Sequence, residues 1–422
     1  MRKELKLLFN SKFVSEKEKF GNIKDLMKYL KNDEKLLPWF EVFNTPGTEP
    51  VVKSSKGNLL MFSSNNYLGL ATHKKVIDGI KKELINHGGG PGGSRFLCGN
   101  IDVLEKLDEK IAKVVGAEKA LTFPTGLMAN MSVFSAVMDP FWANLPYPKG
   151  SGVIFSDEYN HATVVDGCRL SSAKKIVFKH NDIDDLESKL KNVKKSAHKM
   201  IVTEGVFSFE GHLGKLKEIA ELAKKYNAIL MVDDAHGIGT IGNKGGGTPQ
   251  FLGVTKDVDI FMGSFDKTIG CMGGYLAGDK DLIEYLRVAA RPYMFSSSIP
   301  VVLAGGIIEA LNICEGEEGR RLRKKLFSNF EYIKKQVVDM GYKVIGDSNV
   351  PVVSIIIGND NKAIEFSDRL LEKGVFIPSF RWPAVPKGTA RLRVTLMASH
   401  ERKHLDELCG ILKETGKEFK II

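Results

Sequence analysis

The sequence lacks the marks of membrane-spanning, secreted and disulfide-stabilised proteins. None of its apolar runs approaches the roughly 18 residues that are needed to cross a bilayer. The start, MRKELKLLFNSKFVSEKEKF, mixes both charge signs and contains no signal-peptide apolar block. The five cysteines are scattered without CxxC spacing, so we expect free thiols and a cytoplasmic protein; they are Cys98, Cys168, Cys271, Cys314 and Cys409.

Motifs for metal and nucleic-acid binding are also missing. The sequence has no HExxH or paired-histidine spacing and no recognisable nucleic-acid-binding motif. Its net charge of +10 is spread along the chain, which is typical of a solvated lysine-rich surface. We therefore expect no metal and no nucleic-acid partner, whereas an acidic carrier protein, a phosphorylated small molecule or peripheral contact with an anionic membrane stays open.

What the sequence does have is a regular alternation of strand and helix patterns. At 422 residues and 43% hydrophobic content, the chain can bury a large core and form more than one domain. Six short apolar runs that end in small or polar residues are typical of buried parallel strands: KALTFPTG, SGVIFSDEYN, KKIVFKHND, HKMIVTEG, NAILMVDDAHG and DVDIFMGS. Helical patterns separate them, as in GKLKEIAELAKKY, so the sequence predicts a doubly wound α/β domain with ligands at the carboxyl ends of the strands.

The same pass along the chain predicts three parts. Residues 1–59 form a lysine-rich, partly helical N-terminal segment whose end, PWFEVFNTPGTEP, reads as a connector. Residues 60–295 form the large α/β domain. Residues 296–422 combine helical patterns with the strand patterns PVVSIIIG and ARLRVTLMASH, which indicates a smaller α+β C-terminal domain.

Polar side chains gather where two of the predicted strands end. The run ILMVDDAHG delivers Asp233, Asp234 and His236. An aspartate there is a helix N-cap, a metal ligand, or a carboxylate that pairs with the pyridinium nitrogen of pyridoxal phosphate. The third interpretation requires a nearby lysine for the Schiff base. Lys267, among small residues one βα unit later, supplies it, unless it is only a capping residue.

Two glycine-bearing stretches are candidates for phosphate contact. GGGPGG (Gly88–Gly93) formally matches GxGxxG, but it follows a helical pattern instead of a strand, so a turn or a glycine-rich loop near the site is the better interpretation. In FPTGLMAN, a strand ends at Phe123. Thr125, Gly126 and Leu127 are then placed to open a helix whose free N–H groups face an anion.

Taken together, these residues resemble the α-oxoamine synthase family of pyridoxal-phosphate enzymes. The resemblance runs from about FSSNNYLGL to ARLRVTLMASH and includes, in family order, GGSRFLCGN, NHATVVDGCRLS, TEGVFSFEG, VDDAHGIGTIG, SFDKTIGCMGGY and FSSSIP. It implies the aspartate-aminotransferase-like fold (fold type I), a mostly parallel central sheet flanked by helices. It also implies a homodimer that condenses glycine, serine or alanine with an acyl thioester of coenzyme A or acyl carrier protein, usually with decarboxylation.

The resemblance also implies roles for individual residues. Lys267 would carry the cofactor and later act as a base, and Asp233 would pair with the ring nitrogen. His236 would bind the phenolic oxygen with Ser208 close by, and His161 would stack on the ring, although His161 taken alone reads as a structural histidine. The phosphate would be bound by Gly126, Leu127, Ser264 and, from a neighbouring subunit, Ser297. The amino-acid substrate would be bound by Asn65 and Arg393.

Arg391 and Arg393 alternate along one predicted strand, so they share a face. Either they form an exposed pair on the strand, or Arg393 grips a substrate carboxylate as the family implies. The motifs GSRFLCGN and DIFMGSF lean toward the serine-palmitoyltransferase-like and ketobutyrate-ligase branches, whereas VPKGTARLRVTL resembles the oxononanoate synthase branch. We expect the serine-palmitoyltransferase-like activity. The alternatives are 8-amino-7-oxononanoate synthase, 2-amino-3-ketobutyrate ligase and an aminotransferase on the same fold. Departures from the family pattern are Leu127, Ser264 and Asp266, where relatives carry an aromatic residue, threonine and an uncharged residue.

Overall fold

The computed structural model describes residues 24, 41–139, 152–347 and 349–422. Its strands are β1 (Val51–Ser54), β2 (Gly57–Met61), β3 (Lys119–Phe123), β4 (Gly152–Asp157), β5 (Lys174–Phe178), β6 (His198–Glu204), β7 (Val206–Phe207), β8 (His212–Leu213), β9 (Ile229–Asp233), β10 (Ile260–Ser264), β11 (Gly274–Gly278), β12 (Val344–Ile345), β13 (Val352–Gly358), β14 (Val375–Phe376), β15 (Ser379–Phe380) and β16 (Ala390–Thr395). Its helices are α1 (Lys74–His87), α2 (Asp102–Val115), α3 (Gly126–Met138), α4 (Ala162–Arg169), α5 (Ile183–Lys191), α6 (Leu216–Tyr226), α7 (Thr248–Leu252), α8 (Lys280–Ala289), α9 (Arg291–Phe295), α10 (Val301–Glu315), α11 (Glu317–Asp339), α12 (Asp360–Glu372) and α13 (Arg402–Glu418).

Within the described residues, the central sheet has seven strands in the order β3-β11-β10-β9-β6-β4-β5. Strands β10, β9, β6, β4 and β5 pair in parallel, and β11 runs antiparallel to both β10 and β3. All six apolar runs predicted as buried parallel strands are strands of this sheet, but β5 stands at its edge and only Phe178 of this strand is buried. The sequence did not reveal β11, because GYLAG begins and ends with glycine, a residue that is depleted in strands.

The inner strands are buried along almost their whole length and mostly apolar in their middle, because the sheet is covered on both faces. In β9, Leu230 and Val232 join the core on one face and Met231 joins the core on the other, all at 0% exposure. Successive side chains of a strand point to opposite faces. A strand buried on both sides therefore reads as a continuous apolar run, which is the pattern that predicted the mostly parallel α/β fold.

The predicted helix in GKLKEIAELAKKY is α6, and its predicted apolar face is buried or packed against the core. Helices α1 and α10 approach closely through glycines, since a Cβ added to Gly79 would lie 2.7 Å from the carbonyl oxygen of Gly305. Helix α10 therefore packs against a helix of the large domain, although it follows the predicted limit at 295/296.

The C-terminal part contains a second sheet, in the order β12-β13-β16-β15, in which neighbouring strands are antiparallel. A third sheet joins the hairpin β1-β2 to β14, with Leu60 opposite Val375. The predicted limit at 59/60 falls inside β2, so this hairpin connects the start of the described chain to its C-terminal part. The three-part division stays a prediction.

The helical pattern predicted before residue 41 lies almost wholly outside the described residues. Among the helices that the structure does describe, none has the length and apolar character of a membrane span. All five cysteines are free thiols, four of them buried and Cys98 exposed.

Candidate active site

A cavity of about 340 Å³ opens at the carboxyl ends of the parallel strands. This is the edge of an open α/β sheet where ligands bind. Nine residues singled out in the sequence line this cavity: Thr125, Gly126, Leu127, His161, Asp233, His236, Ser264, Asp266 and Lys267. They come from four different segments of the chain, so the fold brings together what the sequence keeps apart.

Lys267 follows β10 by three residues, in the tight turn where the amide of Gly270 donates to the Lys267 carbonyl. Its side chain lines the cavity together with those of Asp233 and His161. A half-buried lysine that faces an enclosed space beside a carboxylate suits carbonyl chemistry better than helix capping.

The two adjacent aspartates after β9 have different surroundings. Asp233 lines the cavity, where one carboxylate oxygen accepts from the amide of Ala235 at 3.2 Å and the other from Asn130 Nδ2 at 3.1 Å. Asp234 instead faces the protein interior and accepts from the amide of Thr248 at 2.7 Å. Burial raises the pKa of Asp234 to about 7. Asp233 therefore faces the site, and Asp234 takes the structural, backbone-capping role.

His161 combines a structural and a cavity-facing position. Its Nδ1 lies 2.9 Å from Thr163 Oγ1 and accepts from the Thr163 amide, which caps the first turn of α4. Its backbone amide donates to Glu204 Oε1 at 2.5 Å. Burial lowers the pKa of His161, an effect that the nearby Asp233 opposes. The imidazole is thus held mainly neutral at the cavity wall, in a state suited to stacking.

The phosphate-side prediction falls at the start of α3. Thr125 caps this helix by accepting from the amide of Met128 at 3.2 Å. The first N–H groups of a helix have no partner within the helix, so those of Gly126 and Leu127 remain for an anion. A side chain at Gly126 would lie 3.3 Å from Cβ of Ser264, so glycine keeps the backbone close to the cavity. The Ser264 hydroxyl donates to Asp266 Oδ1, which also lines the cavity.

The predicted amino-acid contacts lie beside one another, although 328 positions separate them in the chain. Arg393 donates from Nη2 to Asn65 Oδ1 at 2.9 Å and from Nε to the carbonyl of Ser208 at 3.1 Å. Arg393 is only 6% exposed, so it is not part of an exposed pair on the strand. Arg391 shares its face, but it forms a buried ion pair with Glu210 at 3.2 Å.

Not every residue of the predicted site lies in this cavity. Asn65, Ser208 and Arg393 are not part of the cavity lining, and the backbone carbonyl of Ser208 accepts from Arg393 Nε. Ser297 is exposed and also lies outside the cavity lining of its own chain, so its contact with a neighbouring subunit stays a prediction.

Sequence reasoning assigned no role to three residues that complete the site. Glu204 lines the cavity, and burial, followed by the charge of Asp233, raises its pKa well above the usual range. Asn130 holds Asp233, and Tyr67 contacts both His236 and Arg393. The only signal for them was that they stand within the quoted motifs TEGVFSFEG, FPTGLMAN and FSSNNYLGL.

The cavity fits pyridoxal phosphate. Lys267 offers an amine, Asp233 a carboxylate already oriented by two donors, and His161 and His236 two imidazoles within one lining. The start of α3 offers free N–H groups for a phosphate. The cavity is less suited to a metal ion than to this cofactor, because within the described ranges no three His, Cys, Asp or Glu side chains are arranged to hold an ion.

Comparisons with known proteins agree with this geometry. The family model "Aminotransferase class I and II" matches residues 57–412. The 8-amino-7-oxononanoate synthase of Lysinibacillus sphaericus is 41% identical over 385 residues, which are 90% of this chain and 94% of that relative. The enzyme of the same name from Thermoanaerobacter pseudethanolicus is 42% identical over 365 residues, 86% of this chain and 89% of the relative. The structure of serine palmitoyltransferase from S. paucimobilis with a bound PLP–myriocin aldimine superimposes with a TM-score of 0.88 at 26% identity, covering 96% of this chain and 99% of the other.

Proposed function

Because this chain belongs to the α-oxoamine synthase family, whose enzymes are pyridoxal-phosphate-dependent acyltransferases, we propose that it forms 8-amino-7-oxononanoate. The observation that carries the proposal is the 41–42% identity to two enzymes of that name. The serine palmitoyltransferase is only 26% identical, so the lean toward that branch has no specific support. Likeness to it supports the shared chemistry of the family.

The product's own structure identifies the two substrates. It is a nine-carbon carboxylate with a ketone at carbon 7, an amine at carbon 8 and a terminal methyl group. Alanine supplies carbons 8 and 9 with the nitrogen when its carboxyl group leaves as carbon dioxide. A seven-carbon acyl thioester with a terminal carboxylate supplies the rest. The new bond joins the Cα of alanine to the acyl carbon, and the thiol leaves.

The residues of the cavity are suited to hold the cofactor in a fixed plane. Lys267 would bind its aldehyde carbon, Asp233 its ring nitrogen, His161 its face and His236 its phenolic oxygen, with Ser208 close to the last. When bound, the ring withdraws electrons from the Cα of an attached amino acid. The phosphate would lie at the start of α3, with these contacts: Gly126, Leu127, Ser264 and Ser297 of a second subunit.

Side chains of this chain would bind the amino acid and move its Cα proton. The guanidinium of Arg393, with Asn65 beside it, is suited to bind the alanine carboxylate in charge-assisted hydrogen bonds. The Lys267 amine, once free, would take the Cα proton. Burial and the positive charges of Lys267 and Arg393 hold the pKa of His236 well below its usual range. His236 therefore stays neutral and can donate one hydrogen bond without adding a charge.

A homodimer is part of the proposal. Around the cavity mouth and the segment before α10, large apolar side chains are exposed in the single chain, including Leu127 at 42%, Met272 at 52% and Phe295 at 64%. A two-fold interface there would cover such side chains and bring Ser297 to the neighbouring site. Light scattering that finds a fully active monomer at assay concentration would contradict this part.

The test is a panel of thioesters and amino acids, read by release of free thiol. We expect alanine with heptanedioyl-coenzyme A to react fastest. The same acyl group on acyl carrier protein tests the alternative donor, and Lys267→Ala gives the background. Faster turnover with serine and palmitoyl-coenzyme A would favour the serine palmitoyltransferase activity, and thiol release with glycine and acetyl-coenzyme A would favour the ketobutyrate ligase. Keto-acid formation without thiol release would indicate an aminotransferase. A cytoplasmic location, tested by cell fractionation, completes the proposal.

A further inference from the structure

A buried hydrogen-bonded chain joins Arg393 to His236 through the hydroxyl group of Tyr67. Arg393 Nη2 lies 3.2 Å from the Tyr67 oxygen, and that oxygen lies 2.8 Å from His236 Nδ1. Tyr67 is 1% exposed and His236 is 9% exposed. The two ends of this hydrogen-bonded series face different parts of the proposed site. Arg393 faces the substrate carboxylate, and His236 faces the cofactor.

Counting protons fixes the direction of each hydrogen bond. A guanidinium has no acceptor, so Arg393 donates to the Tyr67 oxygen. The hydroxyl has a single proton, and it remains for His236 Nδ1. Burial, the largest influence on Tyr67, raises the pKa of its hydroxyl, so it stays protonated.

This arrangement selects one tautomer of His236. Since Nδ1 accepts from Tyr67 and the ring is neutral, the ring proton sits on Nε2. Within the described part of the chain, Nε2 of His236 has no hydrogen-bond partner, and His236 lines the cavity with Lys267. Lys267, Arg393 and His161 are the charged or titratable groups that act on this ring, and all three disfavour a second proton.

We propose that Tyr67 is a positioning residue that couples the amino-acid site to the cofactor site. It keeps the Nε2 proton of His236 available to the cofactor's phenolic oxygen, and it orients the Nη2 end of the Arg393 fork. The inference rests on the proposed function for the ligands at its two ends. It assigns Tyr67 no direct contact with either ligand.

The test compares Tyr67→Phe with Tyr342→Phe in the cofactor-loaded enzyme. The Tyr342 hydroxyl is also buried and donates to the Leu412 carbonyl at 2.7 Å, but it lies in the C-terminal part, between α11 and α13. Each variant loses one buried hydroxyl group. Tyr342→Phe therefore controls for any effect that a loss of stability has in Tyr67→Phe. Two properties are measured: the pH midpoint of the absorbance of the Lys267-bound cofactor, and the dissociation constant of alanine from a spectral titration.

We expect both properties to change in Tyr67→Phe and neither to change in Tyr342→Phe. Alanine binding should weaken roughly three- to tenfold, the usual effect of losing one intramolecular hydrogen bond that orients a binding group. The pH midpoint should move because His236 no longer has its tautomer fixed. Equal values in the two variants would overturn the proposal. A change in one property alone would also overturn it, because the coupling requires both ends to respond.

Failure of this inference can be told apart from failure of the proposed function. Neither measurement depends on turnover or on the acyl donor. If the thiol-release panel identifies another amino acid, that amino acid replaces alanine in the titration and the comparison of the two variants is unchanged.

Discussion

Arg393 provides the sharpest test of where the amino-acid substrate binds. It stands on β16 between β13 and β15, so it is on an inner strand of its sheet. Its guanidinium is oriented by the Asn65 side chain, the Tyr67 hydroxyl and the Ser208 carbonyl. Three neutral acceptors leave the positive charge uncompensated by any of these contacts, and an anionic substrate can compensate it.

The expected loss on Arg393→Ala follows from those contacts. A hydrogen bond to a charged group contributes about 1.5–3 kcal/mol, so losing one charge-assisted contact with the substrate should weaken amino-acid binding about tenfold to a hundredfold. Lysine at this position should recover only part of the affinity, because a point charge cannot make the paired contacts of a guanidinium. Some stability should also be lost, since the acceptors on Asn65 and Tyr67 lose their donor.

The assay is a spectral titration of the cofactor-loaded enzyme with alanine, serine and glycine. Arg391→Lys is the matched control, because Arg391 lies on the same face of β16 but is engaged with Glu210, and we expect it to leave amino-acid affinity within about twofold. Unchanged affinity in Arg393→Ala would refute the reasoning. An equal loss in Arg391→Lys would show that the substrate senses the strand as a whole and not one guanidinium.

Three further predictions concern the cofactor site and the buried carboxylate of Asp234 behind it. Lys267→Ala should fold normally yet lose covalent cofactor and turnover; peptide mapping after borohydride reduction of wild type should find the adduct on Lys267, and an adduct on another lysine would contradict the assignment. Asp266→Asn removes a negative charge beside the proposed phosphate site but keeps an oxygen that can accept from the Ser264 hydroxyl, so affinity should rise severalfold for pyridoxal phosphate but not for pyridoxal. Equal changes for both ligands would reject this explanation. The pKa of about 7 for buried Asp234 exceeds its unfolded value of about 3.9, so its contribution to stability is present below pH 4 and is lost as the pH rises through 7. Asp234→Asn should flatten that part of the urea-unfolding profile, and an unchanged slope would contradict the shift.

The large domain could be predicted from the sequence because its strands are buried on both faces. Continuous apolar runs such as ILMVD and IFMGS have few alternatives once helical patterns separate them. Parallel strands then place their carboxyl ends at one edge, so the sequence alone predicts that Asp233 and Lys267 lie close together. The antiparallel strand β11 could not be predicted in this way, because its pairing depends on its neighbours β3 and β10 and not on its own glycine-flanked sequence.

The division of roles between Asp233 and Asp234 could not be derived in the same way. The two residues are chemically identical and adjacent, and each satisfied the pattern of a polar residue at a strand end. Only the folded chain separates them, since Asn130 comes to Asp233 from α3 and the amide of Thr248 comes to Asp234 from α7. Contacts from elements that lie 103 and 14 positions away decide which carboxylate is free for a ligand.

The branch of the family is harder still to predict, and the positions of the motifs explain why. DIFMGSF forms β10 and leads to Lys267 on the cofactor side of the cavity. GSRFLCGN contains Arg95, which is 7% exposed and forms ion pairs with Asp108 and Glu105. These motifs therefore support the cofactor and the fold, which all branches share. The proposed amino-acid contacts come instead from the segment before α1 and from β16, 328 positions apart. A resemblance carried by the first set of residues, those of GSRFLCGN and DIFMGSF, can identify the chemistry of the cofactor. The choice of amino acid depends on the second set, Asn65 and Arg393. The contrast between Arg393 and Lys267 variants measures the two sets separately.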